Sequence, residues 1–364
     1  MEKYLHIENS DGKVWLLPED ELKTALCLYQ PSSAKGKLLK ILLPIINRFG
    51  RVTVPLYNRV GLKHIVYSVE KEIECYLEEL FCGDDQIRYA MFLGTPSVHQ
   101  KTTIQVFSKR NIYGYCKIAN NPAIYSIFKH EEQVLRYLHE HGINNVPQCI
   151  SCKELAPRQY SFVQTTTKTI KSTVHHELSV NEIEFLTELA KKTAVRKKYE
   201  QTDFFQSVNR LKEGLPVLIQ NGYDVCFVER AVDRIEEYYK KQPVFCVCHR
   251  DFTPWNMFYN SKELFVFDFE YACFEYPPYL DAIHFVVQTA IFEKKLNADQ
   301  ILQEYKTICE KGVLKDVFED EEMAFLGYLV DIISLYVDRE KKSFSGDVKK
   351  SMNIWMDLCK ELVV

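Results

Sequence analysis

Apolar positions along the 364-residue chain change their period near its middle. Between residues 86 and 166 they fall in short runs: Arg88–Leu93, Thr102–Phe107, Tyr113–Ala119 and Tyr160–Gln164, which predict strands. Among them, Glu131–His141 carries Val134, Leu135 and Leu138 at helical spacing and stops at Gly142. From about residue 170 the helical period dominates. Helices are predicted over Val180–Thr193, Asp203–Gly214, Glu229–Lys241, 281–294, 298–311, 320–338 and 347–361. Residues 1–85 resemble neither stretch. Val14–Leu17 reads as a strand, Pro18-Glu19-Asp20-Glu21 as a helix opening, and Val69–Phe81 as a helix ending near Cys82-Gly83. The pattern predicts an extension of mixed structure over 1–85, a mostly β lobe over 86–166 and a larger helical lobe over 167–364.

Composition narrows the class without naming it. An apolar content of 46% and a charged content of 26% are those of an ordinary globular chain. The net charge of −4 argues against a nucleic-acid binder. The 12 cysteines are scattered and the chain opens Met-Glu-Lys-Tyr without an apolar leader, which predicts reduced thiols and a cytoplasmic protein. Leu38–Ile46 is interrupted by Lys40 and Pro44 and is too short to span a bilayer. Residues 35–63 are locally basic, so contact with an anionic membrane surface is one reading of them. An amphipathic helix packed on the body is the other, and is favoured.

The chemistry concentrates in one place. His249-Arg250-Asp251-Phe252-Thr253-Pro254-Trp255-Asn256 precedes the apolar run Leu264–Phe267, which ends in Asp268-Phe269-Glu270. Phosphoryl transfer asks a protein for positioning and charge neutralisation. Asp251 is placed to accept a hydrogen bond from an attacking hydroxyl. Asn256 offers a neutral oxygen to Mg²⁺, Asp268 a charged one, and Mg²⁺ commonly takes one or two carboxylates beside phosphate and water. Glu270 is a candidate for a second metal or for the acceptor, and His249 for a hydrogen-bonding brace. Earlier in the chain, Lys117 stands inside an apolar strand with a charge that suits the α- and β-phosphates of a nucleotide. A helix glutamate, Glu131 or Glu132, is expected to hold it in place, one residue turning the side chain by about 100° on a helix. Gly94, Thr95 and Ser97 lie in a turn whose N–H groups and hydroxyls suit phosphate, although one glycine makes no glycine-rich signature.

HRDFTPWN and VFDFEYA resemble the two signature segments of the aminoglycoside phosphotransferase and choline kinase family, a branch of the protein-kinase-like fold. Tyr279-Leu280-Asp281 and His284-Phe285 extend the likeness to choline and ethanolamine kinases. The resemblance covers roughly residues 86–340. It implies a two-lobed α+β fold, ATP and Mg²⁺ as cofactors, Asp251 as catalytic base, and Asn256 and Asp268 as metal ligands. It further implies a structural aspartate at Asp281, which an N-cap role would equally explain, and a purine-reading hinge at Gln164–Thr166. Thr253 in place of the lysine of protein kinases, Glu270 after Asp268-Phe269, and the lack of an Ala-Pro-Glu segment favour a small-molecule kinase.

The acceptor is less legible. Glu270, Glu275 and Asp281 suggest an acidic site for a cationic alcohol or an aminoglycoside, and Trp255, Phe274, Tyr276 and Tyr279 suggest a cage or a stacking floor. The N-terminal extension favours a biosynthetic role, so a sugar or polysaccharide precursor is slightly preferred. A catalytically silent binding module and a protein kinase are the alternatives. Cys149-x2-Cys152 has no second pair to complete a zinc site, and His139-Glu140-His141 lacks the accompanying deaminase pattern. His175-His176-Glu177 reads as a solvated approach to a helix.

Overall fold

The computed structural model describes residues 2–31, 34–48, 62–81, 86–96 and 100–363. Ser97, the Cys82-Gly83 stop predicted for the Val69–Phe81 helix, and the basic residues Arg51 and Arg59 lie outside them. The fold is mixed α/β and divides into two compact units.

The first unit comprises residues 1–139, 144–173 and 258–265. Its strands are β1 (Glu2–Glu8), β2 (Val14–Pro18), β3 (Leu62–Tyr67), β4 (Arg88–Leu93), β5 (Thr102–Ser108), β6 (Asn111–Ala119), β7 (Cys149–Ala156) and β8 (Gln159–Thr165). They form one sheet in the order β3-β1-β2-β4-β5-β6-β8-β7, every neighbour antiparallel. The strands of residues 1–85 therefore continue the sheet begun by the predicted ones.

Alternation along each strand feeds two clusters. Trp15, Leu17, Ala90 and Phe107 join the short helix α1 (Leu22–Ala25) and the inward face of α2 (Ala34–Arg48). Leu16, Tyr89, Met91, Cys116, Ile118 and Val163 join Ile73, Tyr76 and Leu77 of α3 (Lys71–Leu80). Because Cys116 and Ile118 point toward α3, the period of two turns Lys117 to the other face. Gly114 of β6 is required by close approach: a Cβ there would lie 2.3 Å from the Gln164 carbonyl oxygen and 2.7 Å from the Phe81 ring. The helix expected from Glu131 begins nine residues earlier, as α4 (Pro122–Glu140), with proline at N1 and Asn121 Oδ1 accepting from the Ala123 N–H. Tyr125 stacks on Tyr160 and Phe128 packs against Phe162, apolar contacts that the leucine and valine spacing did not include.

The second unit, residues 140–143, 174–257 and 266–364, is mainly helical. Its helices are α5 (Val180–Lys192), α6 (Asp203–Gln220), α7 (Cys226–Tyr239), α8 (Leu280–Thr289), α9 (Ala298–Lys311), α10 (Glu321–Glu340) and α11 (Gly346–Val363). Their starts follow local chemistry. Ser179 with Glu182, and Asn297 with Gln300, form capping boxes, and Thr202 and Asp320 cap α6 and α10. The helix predicted over 281–294 is α-helical only to Thr289 and widens to a π turn over Ala290–Lys294. A small sheet runs β13 (Cys273–Tyr276), β10 (Val244–Cys248), β9 (Val195–Arg196). The strands after the motif, β11 (Met257–Asn260) and β12 (Glu263–Val266), fall mostly within the first unit and pair with each other, and Tyr259 of β11 also bridges Thr173.

Candidate active site

The motif loop leaves β10 at Cys248 and is held by side chains from within its own unit. Asp281 is inside α8, one residue past the helix start, and caps nothing; the N-cap position is Tyr279. Instead its Oδ2 accepts from the His249 N–H (2.7 Å) and its Oδ1 from the Arg250 N–H (2.8 Å). Two backbone donors that the turn would otherwise bury unpaired are thereby satisfied. His249 is fully buried and bonds the loop to the strand that carries the second motif. Its Nδ1 accepts from the Asp251 N–H (3.2 Å), which places the ring proton on Nε2, and Nε2 donates to the Phe267 carbonyl (3.0 Å). The Phe267 N–H in turn donates to the Asn256 carbonyl (3.0 Å).

Within this frame Asp251 and Asn256 meet. Asn256 Nδ2 donates to Asp251 Oδ2 (2.7 Å) and to the Asp251 carbonyl (3.0 Å), so the amide presents Oδ1 as its remaining ligand atom. Asn256 is buried, whereas the Asp251 side chain keeps 32% of its surface exposed. The loop thus holds the carboxylate at one oxygen and leaves it reachable. Asp268 adopts the left-handed conformation (φ 71°), which turns it off the line of β12. A carboxylate oxygen of Asp268 and one of Glu270 lie within 4.8 Å of each other. A neutral amide oxygen and paired carboxylates are the donors that a hard, oxygen-preferring cation takes.

Three residues around the loop escaped the reading of the motif. His284 Nε2, buried and without a hydrogen bond, lies 3.5 Å from Asp251 Oδ1, in ion-pair reach but outside hydrogen-bond geometry. Its ring stands edge-on to Tyr328, whose hydroxyl accepts from Gln288. Arg250, also in the left-handed region (φ 63°), forms a two-bond pair with Asp331 of α10, Nε to Oδ2 at 2.9 Å and Nη2 to Oδ1 at 2.8 Å. The same Oδ1 accepts from Ser207 (2.7 Å) and from the Tyr276 hydroxyl (2.8 Å), and the guanidinium lies over the Tyr276 ring. The adjacent carboxylate holds Arg250 charged despite its burial. Signals for these residues existed. Asp281, His284 and Gln288 share one face of a helix that is otherwise apolar, and Asp331 interrupts Leu329-Val330 and Ile332-Ile333.

In the first unit, Lys117 Nζ bonds both carboxylate oxygens of Glu131, at 3.0 and 2.8 Å. Glu132 is turned aside and pairs with Lys129 and Arg136. Lys117 lies opposite Phe162 in the sheet and over its ring. The turn at Gly94 departs from expectation: its N–H bonds the Lys101 carbonyl and its carbonyl accepts from Gln100, so Gly94 closes the β4–β5 hairpin and offers no donor to a phosphate. Thr95 is exposed. Gln164 is interior to the sheet, in register with Tyr115 and Cys149, and the Thr165 N–H bonds Gln148. Thr166 is the first residue beyond the sheet, and its hydroxyl accepts from the Lys168 N–H.

The expected acceptor features separate. Glu275 is paired with Lys197, and Asp281 is consumed by the loop backbone. Tyr276 is buried against Arg250 and Asp331 and lines no cage, while Trp255 packs on Phe292 and Tyr279 on Phe318. Burial pushes the Cys149 thiol up to about 12 and the Cys152 thiol to about 11, the opposite of what a metal-binding thiolate needs. Neither cysteine nor His139 and His141 belongs to a metal-competent cluster among the described residues. His176 pairs with Glu293.

Residues 128–300 match the phosphotransferase enzyme family. Both segments that carried the resemblance, and Glu131, Asp251, Asn256, Asp268 and Asp281, fall inside that span; Lys117 lies outside it. Among solved structures, the aminoglycoside phosphotransferase APH(4)-Ia is 12% identical, with 80% of this chain and 97% of that chain covered at a TM-score of 0.51. A choline kinase from Cryptosporidium parvum Iowa II is also 12% identical, covering 81% and 96%, with a TM-score of 0.51. These are protein-kinase-like small-molecule kinases, and the likeness is one of fold: a β-sheet lobe and a helical lobe. No curated protein matches the chain closely enough to count as a relative. Among the described residues no helix is long and apolar enough to cross a membrane.

Proposed function

We propose that the protein transfers the γ-phosphoryl group of ATP to a hydroxyl of a small molecule. The observation that carries this reading is the Asp251–Asn256 pair: a reachable carboxylate bonded to an amide whose oxygen is left for a cation. Asp251 orients the acceptor hydroxyl and receives its proton as the oxygen attacks. The new bond joins that oxygen to the γ-phosphorus, the bond to the β–γ bridging oxygen breaks, and ADP leaves with the electron pair. Asn256 fixes the carboxylate by hydrogen bonding, His284 stands within ion-pair reach of its other oxygen, and His249 and Asp281 fix the backbone that bears it. Mg²⁺, held by Asn256 and Asp268 with Glu270 beside them, would supply charge neutralisation across the phosphates. Lys117, steadied by Glu131, meets the α- and β-phosphates, and residues 164–166 meet the purine edge. In this reading residues 86–166 form the nucleotide lobe, 167–364 the catalytic lobe, and 1–85 an extension. The matching phosphotransferase family supports the reaction class. APH(4)-Ia in ternary complex with AMP-PNP and hygromycin B supports nucleotide and small-molecule substrates.

Within this reading a sugar or polysaccharide precursor suits the acceptor side better than a cationic alcohol. Two of the three acids that would attract a cation are neutralised or buried, and the cage lacks Tyr276. The 11 described cysteines, all free, are in keeping with a reducing cytoplasm.

The test is ATP turnover with Mg²⁺ against separate pools of sugars, amino alcohols and aminoglycosides. Turnover is expected in the sugar pool, and its loss by a factor of about 10²–10⁴ in Asp251→Asn, the range of a general base. Full activity in Asp268→Asn would sink the metal assignment. Binding of Mg²⁺-ATP with no turnover in any pool would make the chain a silent binding module, and transfer only to proteins would make it a protein kinase.

A further inference from the structure

Helix α2 has two faces, and only one of them is used by the fold. Leu43 is fully buried and Leu39 partly so, both in the cluster shared with α1 and β2. On the other side Leu38 is 56% exposed, Ile41 67%, Leu42 38% and Ile45 54%. At about 100° per residue these four occupy an arc of about 100°. They are four of the eight large hydrophobic side chains exposed among the described residues, so the patch is a stripe and not the scatter normal on a surface.

Charge frames the stripe. Lys35 and Lys37 are both exposed and project about 20° and 40° beyond its two edges. The sequence of α2 holds four cations, Lys35, Lys37, Lys40 and Arg48, and no acid. Lys40 is turned toward the body, beside Cys27. The acids that share a cleft with Pro44, Glu19, Asp20 and Glu21, are accompanied there by Lys23, Lys109 and Arg110. Asp20 also pairs with Arg88, and Glu19 with His64. The stripe therefore faces outward, and among the described residues no acid pairs with the lysines at its border.

We propose that this face of α2 docks the protein on an anionic lipid surface. Leucine and isoleucine side chains enter the acyl boundary while the lysine stems extend to the phosphates of the headgroups, the arrangement of an interfacial helix. At 15 residues the helix is too short to span a bilayer and lies in its plane. A second copy fits less well. An isologous contact would bring the lysine borders of two helices together with no acid in either α2 to receive them. A protein partner would more commonly meet aromatic residues and few lysines, and the stripe has no aromatic. The inference stands apart from the catalytic reading and uses none of its residues.

Co-sedimentation of the full chain with phosphatidylcholine vesicles, with and without phosphatidylglycerol, tests it. Binding is expected only when phosphatidylglycerol is present, and should weaken as salt is raised. Lys35→Glu/Lys37→Glu should lower the affinity by at least about twentyfold, each lysine near such a surface being worth a factor of about five. Ile41→Glu/Ile45→Glu should abolish binding with an unchanged thermal unfolding curve. Equal binding to neutral vesicles, or none to anionic ones, overturns the proposal. So does a dimer of the wild type, seen by light scattering, that Ile41→Glu/Ile45→Glu disperses, because the occupant of the stripe is then a second copy.

Discussion

Two buried ion pairs, one in each unit, look alike and do different things. Lys117 and Glu131 keep 10% and 0% of their side-chain surface, and Arg250 and Asp331 keep 7% and 10%. Burial does not separate them; the chemistry of the cation does. The guanidinium is a rigid fork whose bonds to Asp331 are joined by Ser207 and Tyr276 on the same carboxylate, which locks α6, α10 and the motif loop together. Lys117 is a compact point charge on a flexible stem, bonded to the Glu131 carboxylate of α4 and suited to phosphate oxygens that come and go. Pairing and burial mark a site worth attention. The geometry of the cation separates a structural lock from a charge suited to phosphate.

The contrast can be broken experimentally. The largest effect is expected from Asp331→Ala, which leaves a buried guanidinium unpaired and should cost about 3–5 kcal/mol of stability in urea unfolding. Arg250→Met/Asp331→Leu should recover most of that loss; equal destabilisation in the double variant would show that the pair is more than a lock. Next, Lys117→Met/Glu131→Leu removes the other pair without orphaning a charge. It should unfold near the wild-type midpoint, yet lose up to about a hundredfold in kcat/KM for ATP, as for a charge-assisted bond of about 1.5–3 kcal/mol. Unchanged kinetics would remove Lys117 from the nucleotide site. A smaller loss, about five- to tenfold in kcat with KM for ATP unchanged, is expected for His284→Asn, which removes a neighbour of Asp251 worth about 1 kcal/mol. Least of all, Cys149→Ser/Cys152→Ser should leave turnover within about twofold. Because burial raises both thiols, native protein should react slowly with a thiol reagent at these positions and faster as pH rises toward their values of about 12 and about 11.

Long periodic segments were legible one residue at a time. Helix α9 spans the predicted 298–311, and β4 the predicted Arg88–Leu93, because each presents one apolar face at a single period with turn or capping residues at its ends. Strands β1, β3 and β7 were not read, since Lys3, His6, Lys63 and His64 break the apolar alternation and Cys149–Ala156 is half polar. In the motif loop, the meeting of Asp251 and Asn256 was readable from their spacing. The hydrogen bonds that make His249 and Asp281 braces were not, because their partners are backbone groups of the loop itself.

The sequence by itself determined the reaction vocabulary: a carboxylate, an amide and a second carboxylate at spacings set by one loop and one strand. Short-range geometry suffices for that, since the groups are within twenty residues of each other. Tertiary structure decided which acids are available and which are consumed. Glu131 reaches Lys117 where Glu132 does not, Asp281 is spent on backbone donors, Glu275 on Lys197, and Asp331 arrives from a helix eighty residues away to hold Arg250. A carboxylate's role depends on which donors surround it, and those donors come from segments that only the folded chain brings together.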